Sequence, residues 1–146
     1  MGKQVKATFD QVNIVVSDMA RAVAFYELLG ADIADFPGPW AAHHRDLTSI
    51  GPKLSVEMDS RASVPNWATD WPPGRAGVVL GFRVGRDEDV DTLFEGVAAA
   101  GHVVRQPPHD AFWGARYAVV EDPDGNAVGL MGPTDRRRGR QPGLPS

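Results

Sequence analysis

Two short runs hold the side chains best placed to do chemistry. In QVNIVVSD (11–18), Gln11 and Asn13 share one parity, and Val12, Ile14 and Val16 share the other. In PKLSVEMDS (52–60), Ser55 and Glu57 stand against Leu54 and Val56 in the same way. Successive strand residues face opposite sides, so each run presents one polar and one apolar face. Amides, a hydroxyl and a carboxylate on one face can orient a polar ligand, and a glutamate there can serve as a general base.

A second pair of runs has the opposite character. In GVVLGFRVG (77–85) and NAVGLMG (126–132), one parity collects Val79, Gly81, Ala127, Gly129 and Met131. This gives a small, apolar wall. The other parity, Leu80, Phe82, Val128 and Leu130, is predicted to pack beneath helices together with Val12, Ile14, Val16, Leu54 and Val56. Gly129 interrupts its strand, and a strand glycine often marks a place that something else approaches closely.

The tryptophans stand outside any helix stripe or alternating strand. Trp40 follows a Gly-Pro break, Trp67 and Trp71 lie in a proline-rich stretch, and Trp113 sits in PPHDAFWGARYA beside Tyr117. A flat ring stacked on such residues gains about 0.5–1.5 kcal/mol beyond area burial. They are candidates to sandwich a planar or bulky organic molecule. His43, in AAHHRDLTS, is a further candidate contact, although a plain strand role suits it and His44 as well. The absence of cysteine excludes disulfides, thiolate metal sites and cysteine nucleophiles.

The elements that position these residues repeat. QVNIVVSD is a strand, Ser17 or Asp18 offers an N-cap, and MARAVAFYELLG gives a helix with a stripe through Val23, Tyr26 and Leu28, stopped at Gly30. ADIADF, AAHHRDLTS and PKLSVEMDS follow as strands, the last two around a turn at 50–52. The order then restarts. GVVLGFRVG is a strand and RDEDVDTLFEGVAAAG a helix ending at Gly101. HVVRQPP is a strand, and ARYAVVEDPDGNAVGLMG a hairpin turning through Asp122 and Gly125. Gln11 matches Val79, an offset of 79 − 11 = 68 residues, the mark of a duplicated unit. The divisions are a βαβββ module at 7–61, a linker at 62–76, a second βαβββ module at 77–132 and a flexible Arg/Pro/Gly-rich tail at 133–146. The fold class is α+β: one helix per module cannot cover a sheet alone, so the modules must combine their sheets.

Bulk properties set the outer bounds. A chain of 146 residues, 42% hydrophobic and 23% charged, suits a globular protein. A net charge of −4 argues against a nucleic-acid partner. Neither a signal-peptide core nor an apolar run of membrane-spanning length is present, so a cytoplasmic location and no membrane partner are expected.

FDQVNIVVSDMARAVAFYELLGADI, GFRV with GVAAAGHVV, and WGARYAVVEDPDGNAVGL together resemble the vicinal oxygen chelate superfamily, which includes glyoxalases, extradiol dioxygenases and bleomycin-resistance proteins. The resemblance implies a mixed sheet curled around a cleft, helices outside, and often a homodimer. It also implies a metal site whose four positions fall on Gln11, Glu57, Val79 and Gly129. Val79 and Gly129 carry no donor atom, whereas a catalytic metal site typically needs three protein ligands. The expectation is therefore no metal, no cofactor and no catalytic residue. The predicted role is sequestration of a bulky or aromatic natural product or antibiotic. The ligand contacts would be Gln11, Asn13, Trp40, His43, Ser55, Glu57, Trp67, Trp71, Val79, Gly81, Trp113, Tyr117, Gly129 and Met131. The alternative is a glyoxalase-like or dioxygenase-like enzyme of the same fold with a rearranged or absent metal site.

Overall fold

The computed structural model describes residues 4–28, 32–47, 55–72, 77–122 and 125–145, the side chains of residues 25, 26 and 28 aside. The first half contains β1 (Thr8–Val16), α1 (Met19–Leu28), β2 (His44–Leu47) and β3 (Ser55–Ser60). The second contains β4 (Gly77–Arg83), α2 (Asp87–Ala99), β5 (Val104–Asp110), β6 (Arg116–Glu121) and β7 (Ala127–Met131). Of the two cap candidates for α1, Asp18 does the work: its Oδ1 accepts the Arg21 backbone N–H at 3.0 Å. α2 opens with Asp87, Glu88 and Asp89, whose charges suit the positive end of the helix dipole.

The strands form one seven-stranded mixed sheet in the order β2-β3-β1-β4-β7-β6-β5. Within each module the first and last strands run parallel, β1 with β3 and β4 with β7. The modules meet where β1 and β4 pair antiparallel. Gln11 faces Gly81 and Asn13 faces Val79. Adding 68 turns one pair into the other (11 + 68 = 79, 13 + 68 = 81), so the offset read in the sequence is the symmetry of this seam. Gln11 lies beside Ser55 and Val79 beside Ala127. Two residues further along, Glu57 and Gly129 occupy equivalent places.

The helices cover one face of the sheet. Met19 and Val23 of α1 pack on Val16, Leu47, Val56 and Met58, with Val12 and Ile14 alongside. Val90, Leu93 and Phe94 of α2 pack on Val84, Ala118, Val120 and Leu130, with Phe82 and Val128 alongside. These are the positions that strand parity assigned to the helix side; Leu54, Gly30 and the turn at 50–52 lie outside the described residues. The helix stripe is described at Val23 only. Likewise Asp122 and Gly125 flank two residues outside the described set.

Four segments differ from the pattern read in the sequence. The described part of ADIADF, residues 32–36, contributes a single bridge, Ile33 to Leu47, rather than a strand. Residues Gly38–Ala42 form a 3-10 turn that places Trp40, so β2 starts only at His44. The stretch expected to be a linker is packed: Val64 and Trp67 are 0% and 6% exposed and cover Val15, Val79 and Val119 on the face opposite the helices. The segment after β7, expected to be mobile, also folds back. Asp135 donates its N–H to Gly114 O at 2.9 Å and Arg140 donates to Phe112 O at 2.6 Å. Among the described residues, no helix is long and apolar enough to cross a membrane.

Candidate functional site

The helix-free face of β3, β1, β4 and β7 is the floor of a cleft, walled by Phe36, Trp40, the 112–117 stretch and the C-terminal segment. The cavity holds about 690 Å³, within the range of small-molecule sites.

The polar wall belongs to module one and is one continuous network. Gln11 Nε2 donates to Glu57 Oε2 at 2.9 Å and to Asn13 Oδ1 at 2.6 Å. Asn13 Nδ2 donates to Asp59 Oδ2 at 2.8 Å and Ser55 Oγ to Glu57 Oε1 at 3.1 Å. β2 lies antiparallel to β3 with His44 facing Asp59 and Asp46 facing Glu57. This register brings the His44 ring into the network: Nδ1 meets Asp59 Oδ1 at 2.9 Å and Nε2 meets Asp46 Oδ1 at 3.2 Å.

Both ring nitrogens of His44 thus face carboxylate oxygens. A neutral imidazole can donate only once, so the arrangement calls for the imidazolium. Burial opposes that charge, but the hydrogen bonds to Asp46 and Asp59 and the charges of Asp59 and Glu57 outweigh it, and the His44 pKa is pushed up to about 10. The same contact holds the Asp46 carboxyl below its usual range. Glu57 moves the other way: burial raises its pKa, the His44 charge pulls back, and neighbouring Asp59 and Asp46 push it up again. His44, Asp46 and Glu57 each offer an atom within 4.8 Å of the other two, a spacing that a cation could bridge.

The apolar wall belongs to module two, and its centre is Tyr117 on β6. Its ring lies over Gly129, where an added β-carbon would stand 2.5 Å from the hydroxyl oxygen. Burial, with the Asp59 and Glu57 charges adding to it, raises the Tyr117 pKa, so the phenol stays a neutral O–H. What approaches Gly129 is therefore a side chain of this same chain. Val79, the other replaced position, is 1% exposed and sealed by Trp67, Ala68 and Tyr117. The metal site implied by the family pattern does not fit these residues. Two of its four positions lack donors, one is packed in hydrocarbon, and the space at the other is filled by a tyrosine.

The cleft brings together Gln11, Asn13, Glu57, Trp40 and Trp67 from the residues proposed on sequence. Gly81, Trp113, Tyr117, Gly129 and Met131 line it as well. Four others stand apart. Ser55 is exposed and reaches the cleft only through Glu57. His43 Nδ1 shares a 2.7 Å hydrogen bond with Ser60 Oγ. Val79 is beneath the covering segment. Trp71 packs on Gly77 and lines a separate cavity of about 260 Å³.

Aromatic rings bunch at one end of the cleft. Trp113 meets Tyr117 and Phe112 edge-on, at centroid distances of 5.1 and 5.0 Å, and Trp40 lies 5.8 Å from Phe112. The Trp113 indole N–H is buried and has no acceptor among the described residues. Sequence reasoning missed Phe36, His44, Asp46, Asp59 and Phe112, all of which line the cleft. Asp59 continues the parity of Ser55 and Glu57, so that signal was present. His44 and Asp46 needed the β2–β3 register, which nothing local specifies.

The sequence matches the Glyoxalase/Bleomycin resistance protein/Dioxygenase superfamily over residues 8–130, and the chain belongs to that superfamily. No curated protein matches it. Among solved structures it is similar to methylmalonyl-CoA epimerase from Mycobacterium tuberculosis, at 20% identity and TM-score 0.60, over 94% of this chain and 95% of that one. It is also similar to the Mn(II)-bound glyoxalase from Novosphingobium aromaticivorans, at 19% identity and TM-score 0.62, over 97% of this chain and 43% of that one. A superfamily member from Vibrio splendidus 12B01 aligns at 17% identity and TM-score 0.55, over 89% of this chain and 100% of that one. At these identities the likeness is one of fold.

Proposed function

We propose that the chain binds a bulky or aromatic organic molecule, of natural-product or antibiotic type, and acts by sequestering it without a metal. The observation that carries this reading is the aromatic-walled cavity of about 690 Å³, lined by Gly129 and Tyr117 where the family pattern implies a metal-binding side chain, while Val79, the other position without a donor, is sealed in the core beside it. Trp40, Phe112 and Trp113 offer ring faces and edges, and the Gln11–Asn13–Glu57–Asp59 network supplies orienting polar atoms. Binding would be stoichiometric, lowering free ligand by mass action and raising the melting temperature of the protein. The test is a thermal-shift screen of planar aromatic antibiotics followed by calorimetry. The expected result is a one-to-one complex that quenches tryptophan fluorescence and yields no product. Chemical turnover of the bound compound would overturn sequestration.

A second reading is an enzyme of the same fold with a rearranged centre. The convergence of His44, Asp46 and Glu57 favours it, because a divalent cation could take the place of the His44 Nε2 proton. Elemental analysis of protein purified without chelators separates the two. One transition metal per chain, lost in His44→Ala, supports the enzyme; metal below one-tenth of an equivalent (about background) supports the binder.

A further inference from the structure

The C-terminal segment contributes a feature that the superfamily's cleft pattern does not account for. Four arginines fall within residues 136–140. Two are tied to carboxylates: Arg137 to Asp135 at 3.0 Å and Arg138 to Asp87 at 2.7 Å. The other two, Arg136 and Arg140, line the cleft. Arg136 has no ion-pair partner among the described residues. Among the described residues the Arg140 guanidinium makes only a 3.5 Å contact, from Nη1 to the Asp110 backbone oxygen.

The segment is held in place by more than its charges. Gly114 has φ +92°, and the space a β-carbon would occupy there is taken by the Asp135 carbonyl oxygen. The backbone bonds from Asp135 to Gly114 and from Arg140 to Phe112 tie the segment to the loop that carries Trp113. The two uncommitted guanidinium groups are therefore set beside the aromatic end of the cavity. The acidic residues Asp46, Glu57 and Asp59 line the polar wall of module one instead. A third arginine lining the cleft, Arg83 on β4, is committed to Asp10 at 3.1 Å and to the Gly132 carbonyl at 3.2 Å, so the cleft's uncommitted guanidinium groups are those of the C-terminal segment, apart from the carboxylate wall.

We infer that Arg136 and Arg140 form an anion-binding wall, and that the ligand carries an acid group (carboxylate, sulfonate or phosphate) on its aromatic body. This rests on the aromatic-ligand reading of the cleft and adds the charge of the ligand to it. A guanidinium left without a carboxylate presents a planar fork of donors, which fits an oxyanion bidentately.

A matched pair of probes tests it: 8-anilinonaphthalene-1-sulfonate and N-phenyl-1-naphthylamine, which lacks the sulfonate. Binding is read by tryptophan quenching in the full chain. The sulfonate probe should bind more tightly than the neutral one, and added salt should weaken the sulfonate probe alone. Arg136→Ala/Arg140→Ala should weaken the sulfonate probe about tenfold and leave the neutral probe unchanged. Arg137→Ala, which removes the same charge from the same segment, should change neither. Equal affinity of the two probes, or an equal loss of both in the double variant, overturns the anion wall while leaving the aromatic cleft standing. Failure of both probes to quench wild-type tryptophan overturns the aromatic-ligand reading and the wall with it.

Discussion

Tyr117 lies across Gly129 with its hydroxyl where a side chain at 129 would begin. The equivalent place in module one holds Glu57, the centre of the polar network. The two halves of the cleft have therefore exchanged roles at one symmetric position, with a carboxylate on one side and the edge of a phenol on the other. A metal held between the modules would need donors from both, and module two offers a ring instead.

That contact is sensitive to one methyl group. Gly129→Ala should destabilise the protein by about 1–3 kcal/mol, the usual range for overpacking a filled interior. Removing the hydroxyl in Gly129→Ala/Tyr117→Phe should recover part of the loss, because the two sites are in contact and their effects do not add. Urea denaturation of the four proteins in the cycle checks this. Strict additivity would mean that the ring does not press on residue 129.

His44 makes stability depend on pH in a defined direction. Its folded pKa of about 10 lies above its ordinary 6.5, so its contribution is fully present below pH 6.5 and fades as pH rises through 10. The stability advantage of wild type over His44→Gln should be largest near pH 6 and small near pH 10, measured by urea denaturation with a chelator present. A constant difference would show that the ring is neutral throughout.

Gly114→Ala should release the C-terminal segment. The substitution demands a left-handed backbone of alanine and drives its β-carbon into the Asp135 carbonyl. Trypsin should then cleave after Arg136–Arg140 faster than in wild type while the rest of the chain resists, as read by mass spectrometry. Affinity for the sulfonate probe should fall with it.

Met58, 0% exposed, sits between the sheet and α1. Met58→Ala should cost about 2–5 kcal/mol by chemical denaturation, as buried methionine truncations do. Truncation to alanine at Glu95, exposed in the middle of α2, should have an effect within about 0.5 kcal/mol.

Strand parity carried most of the fold and half of the site. Gln11, Asn13 and Glu57 were legible because a period of two fixes which residues share a face, and the 68-residue offset fixed how the halves correspond. His44 and Asp46 were not, because β2 is four residues long and enters the network through its register with β3 rather than through a pattern of its own. Arg136 and Arg140 were read as tail because their segment is polar and proline-flanked. What holds it is a handful of backbone bonds to residues about 20–30 positions earlier, which composition does not encode. Trp67 and Trp71 were assigned alike from the same stretch, yet one faces the cleft and the other Gly77.

The β1–β4 seam also governs how the chain can be divided. Because the pairing maps onto itself through the 68-residue offset, a half-chain ending after the first module would leave β1 as a bare edge. Its natural mate would be β1 of another half-chain, in a register that sets Gln11 against Asn13. Joining the halves keeps the correct mate at an effective concentration of about millimolar or above, well beyond that of any stray copy. The covering segment between Ser60 and Gly77 thus acts as a tether as well as a lid over Val79, and severing it should turn a folding reaction into an assembly reaction that depends on protein concentration.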